Sequence, residues 1–130
     1  MFTLILCLFI ACLLPYLAKI PLVVAMKNQP GGYDNEHPRA QQASLTGFGA
    51  RAFAAHQNSF ESLVVFSAAC LTALATQNMS YPIQILAVFH LILRCTYHVL
   101  YLLNRATLRS TVWLFGLFTS LAMMLLCLPF

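Results

Sequence analysis

Long apolar stretches, each near or above the roughly 20 residues a helix needs to cross a bilayer, fill almost all of this chain. In hydrocarbon only helices and closed barrels satisfy every backbone N–H and C=O, and apolar runs of this length select helices. Four segments are expected, at about 2–26, 49–76, 82–103 and 108–127. Of the 130 residues 61% are hydrophobic and 8% charged, with a mean hydropathy of +0.80. A soluble domain carries about 25% charged residues, so the apolar surplus here must face lipid. The expected fold class is all-α: a transmembrane four-helix bundle, one integral membrane domain over 1–130 with no soluble domain attached. The net charge of +4 is small and dispersed. It excludes a nucleic-acid binder and serves instead to set orientation.

The first segment lacks a basic n-region and a clean small-x-small cleavage site, and it runs past Lys19. It is therefore expected to be a retained helix and not a signal peptide. Pro15 and Pro21 interrupt it and predict a kink, with Lys19 facing protein or snorkelling. The one long polar connection, about 27–46, is rich in turn formers such as Pro30, Gly31, Gly32 and Asn35, and reads as a water-facing loop. Lys27, Arg39 and Arg51 cluster in or beside this loop, and Arg105 and Arg109 beside the connection after segment three. The connection after segment two and both chain ends have no Lys or Arg. The positive-inside rule then places both basic connections in the cytoplasm and both termini outside.

Only three residues are acidic, and Glu61 lies inside an apolar segment. An ionisable group in hydrocarbon is retained where something pairs with it or uses it. On segment two, Arg51, Asn58 and Glu61 fall on one face at 100° per residue, and His56 points elsewhere. On segment three, His90, Arg94, Tyr97, His98 and Tyr101 form a sustained polar stripe. Glu61 and Arg94 each lie roughly 15 Å from the cytoplasmic end, so a direct ion pair between them is expected. Asn58, Tyr97 and Tyr101 follow toward the cytoplasm, and Arg51, Arg105 and Arg109 form a basic rim. The picture is a polar pocket between helices, open to the cytoplasm. The same pattern also suits interhelical glue without chemistry, with the tyrosines as packing or interface anchors, the rim arginines as topology charges and the histidines as satisfied interior groups. The cysteines Cys7, Cys12, Cys70, Cys95 and Cys127 form no CxxC pair. They read as small apolar packers, and no metal site is expected.

The run Ala55-His56-Gln57-Asn58-Ser59-Phe60-Glu61, preceded by Arg51, resembles the second helix of the MAPEG family (membrane-associated proteins in eicosanoid and glutathione metabolism). The pattern Arg94-x-x-Tyr97-x-x-x-Tyr101, followed by Arg109-Ser110-x-x-Trp113, resembles its third helix and the start of its fourth. The N-x-x-E pair alone is a weak signal. Joined to R-x-x-Y-x-x-x-Y and L-R-S in a four-span chain, it is specific. The compact loops are similar to those of bacterial members, which would place the protein in a bacterial inner membrane.

The resemblance implies a homotrimer of four-helix protomers that binds glutathione between subunits on the cytoplasmic side. It implies glutathione-dependent transferase or peroxidase action on hydrophobic small molecules drawn from membrane lipid. It assigns Arg51, Asn58, Glu61, Arg94, Tyr97 and Tyr101 to glutathione binding and Arg109 and Ser110 to catalysis. Two positions depart from animal glutathione-binding relatives: Ala54 replaces an arginine, and Gln57 stands where some have a basic residue. Tyr97 takes a position that is His in one branch. The implied mechanism is thiolate stabilisation by a guanidinium, with a lipid-facing groove beside segment four for the electrophile. The alternative left open is a non-enzymatic trimeric membrane protein that binds a lipid or small molecule in the same pocket. A small transporter is disfavoured, since no inverted repeat is visible.

Overall fold

The computed structural model describes residues 1–129. Five helices occur among them: α1 Phe2–Lys27, α2 Pro38–Ser44, α3 Gly47–Ala75, α4 Tyr81–Leu102 and α5 Ala106–Leu125. All but α2 are long and apolar enough to cross a membrane. The protein is an all-α, four-helix membrane bundle, and α2 is an addition within the stretch read as a loop. Pro38 opens α2, where its missing N–H costs nothing. Gln41 then ties the turn down: its Nε2 donates to the Gly32 carbonyl at 2.7 Å, and its Oε1 accepts from the Asp34 N–H at 3.0 Å. The absence of long-range periodicity hid a helix of only seven residues.

Helix α1 runs unbroken through Pro15 and Pro21. It packs along α3, and α4 packs along α5. Small residues set the first approach. Gly49, Ala52 and Ala55 are buried on α3. A Cβ on Gly49 would stand 3.1 Å from the Leu45 Cβ and 3.3 Å from the Ala25 Cβ. The short turns after α3 and α4 close in the same way. Gln77 and Asn104 take left-handed φ values of 55° and 59°, and the paired amide bonds of a Schellman turn follow in each.

The apolar core falls into two parts. One gathers Leu4, Cys7, Phe66, Ala69, Cys70, Ile83, Ala87 and Met123 at the end that holds the N-terminus. The other gathers Leu22, Met26, Leu45 and Ala52 at the basic end. Between them lies a polar layer that includes His90, Arg94, Thr119 and Ser120, all buried. Large apolar side chains such as Phe9, Ile20, Val64, Ile92 and Phe118 are exposed on the outside, as a lipid-facing surface requires.

Candidate functional site

Asn58 and Glu61 are one turn apart on α3, and Asn58 Nδ2 donates to Glu61 Oε2 at 2.9 Å. From α4, Arg94 Nη2 donates to Asn58 Oδ1 at 2.8 Å and to the Asn58 carbonyl at 3.3 Å. Glu61 and Arg94 therefore do not form the direct ion pair expected from their depth. The only ion pair among the described residues joins His37 and Asp34 in the loop. The amide of Asn58 stands between acid and base. Its oxygen faces the cation and its NH2 faces the carboxylate, so the two ends of one amide serve both charges. Glu61 itself is exposed on the outside of the protomer, whereas Arg94 is 7% exposed.

Arg94 then continues the chain of contacts along α4. Its guanidinium carbon lies 4.3 Å from the centre of the Tyr97 ring. Tyr97 meets Tyr101 edge to face at 5.6 Å. From α5, the Arg109 guanidinium lies 4.1 Å over the Tyr101 ring. Cation–π contacts of this kind are worth about 0.5–2 kcal/mol and hold an arginine without using its N–H groups. The result is one column, Glu61–Asn58–Arg94–Tyr97–Tyr101–Arg109, that crosses three helices toward the basic end. Arg109 is half-buried, and its N–H groups donate to no partner in the hydrogen-bond network of the described residues.

Two residues expected at the site lie apart from the column. Arg51 Nε donates over a long 3.4 Å to the Leu102 carbonyl at the end of α4. Ser110 is exposed. His56 bonds to the Pro15 carbonyl at 2.9 Å, on another face of α3. His98 also leaves the stripe: it lines a cavity on the α1 side, and its Nδ1 is buried with no partner.

A second network was not singled out by the sequence. The ring of His90 stacks on Phe66 at 4.2 Å. Its Nδ1 lies 3.0 Å from the Gly116 carbonyl, and Nε2 lies 3.3 Å from Ser62 Oγ. A carbonyl only accepts, so Nδ1 carries the proton and Nε2 accepts from Ser62. Thr119 and Ser120 crowd the same Nδ1 at 3.1 and 3.2 Å. The only sequence signal was the position of His90, one turn before Arg94 on the polar stripe.

Arg94, Ser62 and His90 form a wall between two cavities. One, about 120 Å³, opens between α3, α4 and α5 beside Glu61 and Trp113. The other, about 520 Å³, lies between α1, α3 and α4 and is lined mainly by apolar side chains such as Leu14, Leu17, Leu63 and Val99. Of these two cavities, the larger and more apolar lies beside α1.

No curated protein and no solved structure gives a significant match to the chain. The family model of the MAPEG family matches residues 3–129. That span takes in all four membrane helices and every residue of the polar column, and the chain belongs to the MAPEG family.

Proposed function

We propose that the protein is a trimeric membrane enzyme that activates the thiol of glutathione against lipophilic electrophiles at the cytoplasmic end of the bundle. One observation carries this reading. Arg109 is half-buried, fixed on the Tyr101 ring, and its N–H groups have no hydrogen-bonding partner among the described residues. A guanidinium anchored through its face and left with unused donors suits an anion that arrives from outside.

Glutathione would supply the nucleophilic sulfur; a thiol of pKa about 8.5 is mostly protonated at neutral pH. Arg109 stabilises the anionic sulfur electrostatically. The first turn of α5 adds the partial positive charge of its unpaired amides. Tyr97 and Tyr101 offer hydroxyl donors alongside. Asn58 and Glu61 keep Arg94, and through it Tyr97, from turning away. The donor set fits the thiol end of the tripeptide well. Its two carboxylates fall to Arg51 and Arg105, since Ala54 brings no charge to α3. The lipophilic partner has room in the 520 Å³ cavity, whose wall includes Arg94.

The exposed edge of Glu61 supports assembly. An acid on the outside of an apolar helix is costly against lipid and acceptable against a neighbouring protomer. A single protomer also leaves Ser110 and Trp113 uncovered.

The test is conjugation of glutathione to a dinitrophenyl halide by the purified protein, with the ultraviolet thiolate band as a second readout. Arg109→Ala should lower turnover on the order of 10²-fold, the loss typical of one electrostatic donor, and remove the band. Arg51→Ala should mainly raise the glutathione concentration required. Wild-type protein with neither band nor conjugation at saturating glutathione assigns the column to a non-enzymatic binding protein.

A further inference from the structure

The cavity between α1, α3 and α4 has the shape of a slot. On α4 its lining runs from His90 to Leu102, and on α1 from Ala11 to Pro21. At about 1.5 Å per residue those stretches are roughly 18 and 15 Å long. A volume of about 520 Å³ over such a length is a channel about 30 Å² in section. With carbon atoms about 4 Å apart at contact, that section takes one hydrocarbon chain and not two. The side chains from α3, such as Ser59, Ser62 and Leu63, are half-buried, so α3 is the floor. Leu17 on α1 and Val99 on α4 are exposed, so the slot opens between these two helices.

Most polar groups on its walls are already engaged. Ser59 Oγ donates to the Ala55 carbonyl at 2.9 Å, Ser62 Oγ lies 3.3 Å from His90 Nε2, and Arg94 Nη2 donates to Asn58 Oδ1 at 2.8 Å. His98 Nδ1 is the one buried side-chain nitrogen or oxygen among the described residues that has no hydrogen-bond partner. A buried group in that state is costly, and folded proteins rarely leave one. His98 lies one turn beyond Arg94, in the half of the slot nearer the basic end.

The unpaired nitrogen and the walls together select an occupant. A water needs about two to four polar partners, and walls made largely of Leu14, Leu17, Leu63 and Val99 hold it poorly. Charge is already balanced on the one cation of the lining. Arg94 faces Glu61 through Asn58, so an acidic head would bring a second anion to one guanidinium. A neutral oxygen suits Nδ1 without that cost: a carbonyl accepts its proton, and a hydroxyl pairs with either tautomer.

We propose that this slot binds one neutral single-chain lipid, with its hydroxyl or carbonyl oxygen on His98 Nδ1 and its tail over Leu63 between α1 and α4. The proposal rests on the function above only in that it names the chemistry of the lipophile seated here. The lipid binds with or without glutathione.

The experiment uses full-length protein in phosphatidylcholine nanodiscs, without glutathione, and a photoreactive hexadecanol that carries a diazirine on its tail. After illumination the labelled residues are mapped by mass spectrometry. Labels should concentrate on Leu14, Leu17 and Val99, in excess over Ile85 and Val88 on the outer face of α4. Unlabelled octadecanol should suppress them, and octadecane should not. His98→Phe keeps a ring and removes the nitrogen, so labelling should fall about tenfold, the worth of one hydrogen bond to a buried group. Val99→Trp plugs the slot from its exposed rim and should abolish labelling. Should His98→Phe fail to fold by circular dichroism, Val99→Trp alone decides. Uniform labelling of the lipid-facing residues, or unchanged labelling in a folded variant, overturns the proposal. Displacement by octadecanoate better than by octadecanol makes the slot an acid site and overturns it as well. Conjugation is measured separately: its absence beside intact labelling refutes the enzyme reading alone, and conjugation without slot labelling refutes the lipid site alone.

Discussion

Asn58 carries more of the site than the charges on either side of it. It accepts from Arg94 and donates to Glu61, so its loss strands a buried guanidinium. Asn58→Ala should destabilise the protein by about 2 kcal/mol, the range for a hydrogen bond to a charged group whose partner is left buried. Glu61→Ala should cost under about 1 kcal/mol in the separated protomer, because Glu61 is exposed and does not touch Arg94. Thermal melting in detergent ranks the two variants. An equal or larger loss for Glu61→Ala would restore the direct acid–base pair that depth alone suggests. The residues of the column were legible in the sequence, since Asn58, Glu61, Arg94, Tyr97, Tyr101 and Arg109 all carry polar groups at helical spacing. Their order of contact was not, because a shared depth does not say which of two side chains an intervening amide will reach first.

Among the helices, α1 and α3 are held close by absence of side chain. Gly49 meets Leu45 and Ala25 at distances that leave no room for a methyl group. Gly49→Ala should therefore cost about 1–3 kcal/mol through overpacking. On α5 the geometry differs: a Cβ at Gly116 would meet only Arg94 Cδ, at 3.8 Å. Gly116→Ala should be neutral or stabilising by up to about 1 kcal/mol, as helix propensity favours it. Comparison of the two melting points checks both. The opposite order would mean that α4 and α5, not α1 and α3, form the tighter contact. The stripe on α4 also splits at this level. Tyr97 turns toward Tyr101 and His98 toward the apolar cavity, though His90, Tyr97 and His98 all lie within about a turn of Arg94. A 3.6-residue period assigns a face about 100° wide, and two neighbouring helices divide it.

For the molecule as a whole, the proposed function ties activity to assembly. In the proposed trimer a neighbour would complete the polar column, which ends in an exposed Glu61 and in an Arg109 without a hydrogen-bonding partner among the described residues. Native mass spectrometry in mild detergent should show three copies, and thiolate formation should track the trimer fraction. A monomer that conjugates glutathione at full rate would separate catalysis from assembly.

The four membrane helices were readable from composition and segment length, since of the two ways a chain can satisfy its backbone in a bilayer core, helix or closed barrel, apolar runs of this length select the helix. The polar positions were equally visible, because each is an exception in an apolar run. Three features arose only from packing: the Asn58 bridge, the His90 network with Ser62 and Gly116, and the slot between α1, α3 and α4 that His98 lines. Each brings together side chains from different helices. Which faces meet is set by rotation and offset between neighbours, and that is fixed by close contacts such as Gly49 on Ala25, not by the period of any one segment.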